Sequence, residues 1–208
     1  MFLYFYLLDQ VFFSDVLRPA LARSLRERSF APCQDLCSQV LLHNRDMPPE
    51  ALVHTVASGL AFERKFWQAL VGECLVHGAV DIPRLQTAPD TLTCLLAPDH
   101  YGVELPRDQY APIEQAHFGT RDLVFGGGHY RPDHAGLNDS HDIIRLANYL
   151  KNVDATIWSV RDLDRLAHCN NEEDRAEELA DACDWWPGLV ELYRRARDER
   201  LVVVCESV

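Results

Sequence analysis

Two short apolar runs, one at each end of the chain, constrain the fold more than any other feature. Phe2–Leu8 is built from Phe, Leu and Tyr, and Leu201–Cys205 is a Leu-Val-Val-Val-Cys run. Both are β-prone. A strand cannot satisfy its own backbone N–H and C=O groups, so each run needs a neighbour to pair with. Nearly everything between them reads as helix or as irregular chain. The simplest solution places both runs in one small sheet and covers it with helices. The fold class expected is therefore α+β: a helix-dominated single domain over residues 1–208, with both terminal strands in that sheet.

The helical segments follow from periodicity and caps. Ser14 reads as the N-cap of a helix through Arg28, with Val16, Leu17, Leu21 and Leu25 on one face. Its Arg18, Arg23, Arg26 and Arg28 read as a solvated surface. Pro32 opens a second stretch with Cys33, Leu36, Cys37, Val40 and Leu41 at helical spacing, and Asp46-Met47-Pro48-Pro49 breaks it. Leu52, Val53 and Val56 fall on a further helix. From Leu60 to His77, the residues Phe62, Phe66, Trp67, Leu70, Cys74 and Leu75 form a wide apolar stripe that stops at Gly78. Asp139 or Ser140 caps a helix burying Ile143, Ile144, Leu146, Ala147 and Leu150. Asn170-Asn171-Glu172-Glu173 opens an acidic helix, whose negative first turn suits the helix dipole. Pro187-Gly188 reads as a kink or break before a last helix from Leu189 to Arg200. Residues 79–138 are dense in Pro, Gly, Asp and aromatic side chains and read as an irregular cap docked by its aromatic rings.

Charge and cysteine usage narrow the function classes. The chain has 20 basic and 32 acidic residues, a net charge of -12, which disfavours nucleic acid and anionic lipid as partners. The N-terminal run lacks the basic flank and cleavage site of a secretory signal, and Asp9 interrupts it well short of a membrane span. The expectation is a soluble, cytoplasmic protein with no membrane association. Seven cysteines, an odd number with no Cys-x-x-Cys pair, argue against a disulfide framework and a zinc ribbon; Cys33 and Cys37, four apart on one helix face, are compatible with metal binding but read as small core residues. Cys74 and His77 could meet on one helix, but a thiol on an apolar stripe stays protonated and inert.

The densest polar cluster lies in the middle region. His129, His134, His141 and Asp133 are residue types that bind a divalent transition metal, and a metal with an open position can activate water. Their spacing matches no short metal motif. Gly126, Gly127 and Gly128, with Arg121 and Arg131, offer an alternative anion or ligand cradle, although neither a dinucleotide fingerprint nor a P-loop is present. Structurally, the glycines make a tight turn and Asp139 a cap. Adjacent Trp185 and Trp186 point about 100° apart on a helix, so one is expected to be fully buried, and the other either packs in the core, the favoured reading, or lies at an interface.

The order of elements in the last third is distinctive. A Gly-rich turn precedes an Asp/Ser-capped helix ending at Leu150-Lys151-Asn152-Val153-Asp154. Trp158, an acidic helix, Trp185-Trp186, Leu192-Tyr193, Ala196 and a terminal Val strand follow. From Leu123 to Val208 this resembles the YfbM-like family of small, uncharacterised bacterial proteins. The resemblance implies a soluble bacterial α+β protein and no particular chemistry. The expected function is a binding or interaction module, with a protein partner or a second copy as ligand. The alternative is a metal-dependent hydrolase using the His/Asp cluster at residues 129–142.

Overall fold

A computed structural model describes residues 3–33, 36 and 61–208. Strand β1 (Leu3–Asp9) pairs antiparallel with β6 (Leu201–Ser207), in register from Leu3↔Ser207 to Asp9↔Leu201. On its other side β6 pairs with β5 (Ala135–Asn138), which pairs with β2 (Arg121–Asp122). The strand order is β1-β6-β5-β2. The two ends of the chain are thus neighbours in one sheet, as the terminal runs require.

Every residue of β6 is buried because helices cover both faces of the sheet. Tyr6, Leu8, Val202 and Val204 face α1 (Arg18–Glu27) and α2 (Arg64–Gly78), packing with Leu21, Trp67, Leu70 and Cys74. Phe5, Leu7, Val203 and Cys205 face α4 (Pro112–Phe118), α5 (Ser140–Lys151) and α6 (Glu172–Asp198), packing with Ile113, Leu146, Leu189 and Tyr193. The continuous Val run is the signature of a strand with two buried sides.

Residues 79–138 hold α3 (Pro89–Leu96), α4 and β2. They also hold the hairpin of β3 (Val124–Phe125) and β4 (Gly128–His129), and β5, with turns between these elements. Phe125 and Tyr130 are fully buried and fasten this stretch to the core.

Three local expectations need correction. Ile144 is off the buried face of α5 and 52% exposed. Ser14 is no cap: the chain is already helical from Gln10, passing through a wide turn at Phe12–Leu17, and Asp9 Oδ1 accepts the Phe12 N–H at 2.8 Å. Asp9 is better placed because burying Phe12 and Phe13 requires an earlier start. Pro187 breaks nothing: α6 runs unbroken through it for 27 residues. The exposed proline forfeits one intrahelical bond, while Trp186 and Leu189 beside it are buried and hold the helix on the sheet. The segment around Cys37, Val40 and Leu41, the Asp46–Pro49 break and the helix with Leu52, Val53 and Val56 lie outside the described residues.

Candidate functional site

The glycine turn is a two-residue hairpin loop. Gly126 and Gly127 have φ of 57° and 86°, the left-handed pair that a tight β3–β4 connection demands. A Cβ at Gly126 would come within 2.9 Å of Ala22, so the hairpin packs closely on α1. The adjacent arginines are already committed. Arg121 reaches Asp139 at 3.0 Å and Asp142 at 2.7 Å, and Arg131 reaches Glu206 at 2.7 Å.

The histidines have separate surroundings. His129 Nδ1 lies 3.3 Å from Asp122 Oδ2, near enough for charge pairing but without hydrogen-bond geometry. His134 and Asp133 are exposed in the turn before β5, and the His134 carbonyl accepts the Ser207 N–H at 2.7 Å. His141 is exposed in the first turn of α5. Asp139 caps that helix, accepting from the N–H groups of His141 at 3.0 Å and Asp142 at 3.1 Å. Among the described residues, no group of three or more His, Cys, Asp or Glu is placed to hold a metal ion. Burial opposes ionisation of Asp139, but the Asp142 N–H and Arg121 outweigh it and hold that carboxyl low. Burial dominates at Asp142 and pushes its carboxyl up.

Composition did not reveal two buried polar networks. Glu206, at the end of β6, accepts from Tyr6 at 2.8 Å, Tyr130 at 3.1 Å and Arg131. On the opposite face, Asn138 joins β5 to α4 and α6: its Nδ2 donates to Gln115 O at 2.9 Å and Tyr193 Oη at 2.8 Å. Every acceptor and donor in these clusters is matched, which suits a structural role. Burial also drives the Cys205 thiol up to about 12, leaving it inert.

His100 and Glu114 form a pair on a small cavity of about 300 Å³. His100 Nδ1 is 2.7 Å from Glu114 Oε2, which also accepts the Ala111 N–H at 2.7 Å. The carboxylate orients the imidazole, and Thr93 and Tyr101 line the same cavity.

A cavity of about 930 Å³ is a groove between the start of β1, residues 82–86 and the middle of α6. Its origin is traceable. The Leu7 N–H donates to Asp81 O at 3.0 Å, and Leu7 O accepts from Val80 at 2.7 Å, so residues 80–81 begin a ladder on the free edge of β1. Two residues on, that register would bring Pro83 opposite Phe5, and proline has no N–H to give. The segment peels away, and Leu85 settles over Gly188, where a Cβ would stand 2.5 Å from Leu85 Cδ1. Tyr4, 45% exposed, and the partly exposed Trp185 line the opening. Trp186 is buried edge-on against Trp158, with centroids 5.3 Å apart. The tryptophan pair therefore divides as its helical spacing requires. Arg84 and Asp184, also on the groove, are exposed and have no ion-pair partner among the described residues.

The molecule is a helix-covered antiparallel α+β protein, and none of its described helices is long and apolar enough to cross a membrane. The same fold occurs in the crystal structure of YfbM, a protein of unknown function from Escherichia coli. It matches 100% of both chains at a TM-score of 0.51 and 15% sequence identity. The likeness in fold thus extends beyond the Leu123–Val208 stretch to the entire chain. No family model and no curated protein sequence matches.

Proposed function

We propose that residues 1–208 form a single cytoplasmic binding domain that acts by docking a partner protein in the groove between β1, residues 82–86 and α6. The observation that carries this reading is the groove itself. Its volume of about 930 Å³ is ample for a ligand, and its wall combines two accessible aromatic rings with two unpaired charges. Tyr and Trp are enriched at interfaces because they bury a large area at small entropic cost. The net charge of -12 directs the choice of partner away from nucleic acid. No specific observation favours metal-dependent hydrolysis by His129, His134, His141 and Asp133.

The test is selection of linear peptides from a random displayed library against the full chain, followed by calorimetric titration. Selected peptides should bind at about micromolar Kd. Tyr4→Ala and Trp185→Ala should each weaken binding by about tenfold or more, with unchanged circular dichroism. Failure to select any peptide, or binding that ignores both substitutions, would overturn the proposal.

A further inference from the structure

We infer that the segment docked in this groove is basic and extended, with one end adding to the edge of β1 and the other following a row of carboxylates on α6. The inference rests on the groove being a docking site, as proposed above.

The extended form follows from the open edge. Leu7 turns its N–H and C=O away from β6, toward residues 80–81. In an antiparallel strand alternate residues face the same way, so Leu3 and Phe5 also turn theirs outward. Pro83 ends the covering ladder, and no backbone partner meets Leu3 on that side among the described residues. Leu3 lines the groove, so its N–H and C=O form the first rung for an added strand.

The basic character follows from charge complementarity, because the carboxylates along α6 outnumber Arg84, the cation that lines the groove. Glu173, Glu177, Asp181 and Asp184 recur at spacings of four, four and three on α6 and share one face. All four are exposed, and none has an ion-pair partner among the described residues. The helix dipole accounts for acidic residues in the first turn only, and Glu177, Asp181 and Asp184 lie beyond its reach. The second half of the same helix is built differently. There Arg194 pairs with Glu191 and Asp198, and Arg195 pairs with Glu199. The uncompensated carboxylates thus stop where the groove begins. The row is about 16 Å long at about 1.5 Å per residue, which an extended chain spans in about five residues. An apolar or aromatic side chain against Trp185, with two or more Lys or Arg nearby, is the matching pattern.

The peptides selected above provide the test. Enriched sequences should carry a net positive charge beside an apolar residue. Their affinity should fall about tenfold or more between 50 and 500 mM salt. The exposed double substitution Asp181→Asn/Asp184→Asn should weaken them about fivefold or more, whereas Glu191→Gln should not. Neutral or acidic peptides that still depend on Trp185 would overturn this inference while leaving the docking groove intact. Oligolysine binding as well as the selected peptides, independent of Trp185, would place the charge effect outside the groove and overturn it. A dimer in light scattering that Trp185→Ala converts to monomer would show that a second copy is the occupant, with the same consequence.

Discussion

His117 should make the stability of this protein fall at mildly acidic pH. Its side chain is entirely buried in α4; Nδ1–H donates to Ile113 O at 3.0 Å, and Nε2 has no hydrogen-bond partner. Burial drives its pKa from the ordinary 6.5 down to about 4, opposed only by the Ile113 carbonyl. The unfolded chain therefore binds a proton near pH 6.5 that the folded chain refuses until about pH 4. The full contribution is present above 6.5 and is lost progressively as pH falls through that window. The whole interval corresponds to about 3 kcal/mol, of which about 2 kcal/mol is lost by pH 5. Urea unfolding at pH 7.5 and 5.0, for the native chain and His117→Leu, isolates this term from the carboxylates that titrate in both. The native chain should lose about 2 kcal/mol more than the variant over that interval. Parallel losses in the two proteins would refute the assignment of His117 as buried and neutral.

Three further outcomes are expected. Asn138→Ala removes hydrogen bonds to Gln115 O, Tyr193 Oη and the Thr120 N–H, each of which keeps one other partner in the Gly119 N–H, Ala116 O and Leu137 O, and should cost about 2 kcal/mol in urea unfolding. Gly136→Ala drives a Cβ into the Phe118 carbonyl oxygen and to within 2.5 Å of Arg107, and should cost at least about 3 kcal/mol or prevent folding, read by thermal melting. Cys183 is the exposed cysteine among the described residues, so Cys183→Ser should remove one rapidly reacting equivalent in a thiol titration. Cys205 should react only after unfolding.

Much of the local structure was legible in the residues. Phe2–Leu8 and Leu201–Cys205 announce strands because β-branched and aromatic runs bounded by helical segments have few other uses. Asp139 before an apolar periodic stretch announces a cap, and it accepts the two N–H groups that a cap should. Contiguous glycines announce the hairpin turn. Pro187 misled because the rule that proline ends a helix concerns the helix alone. Burial of Trp186 and Leu189 on either side outweighs the one bond lost. In the histidine cluster, closeness along the chain is not closeness of ring nitrogens: His129 sits beside Asp122, while His134 and His141 are exposed. The family resemblance was visible only from Leu123 onward, yet the shared fold covers the chain at 15% identity, because packing tolerates changes that erase motifs.

The groove marks the boundary between the two kinds of information. Residues three and four apart determine which face of a helix is apolar, and alternate residues determine which side of a strand is buried, so these features can be read from neighbours alone. The sequence by itself therefore determined that the ends are strands, that helices cover them, and that two adjacent tryptophans cannot share one face of their helix. Tertiary structure decided that Leu3, Pro83 and Trp185 meet, because each lies 80 residues or more from the next and is brought there by the β1–β6 ladder and the seat of Leu85 over Gly188. Placement across such separations depends on the packing of the whole core on both faces of the sheet, and no local pattern encodes it.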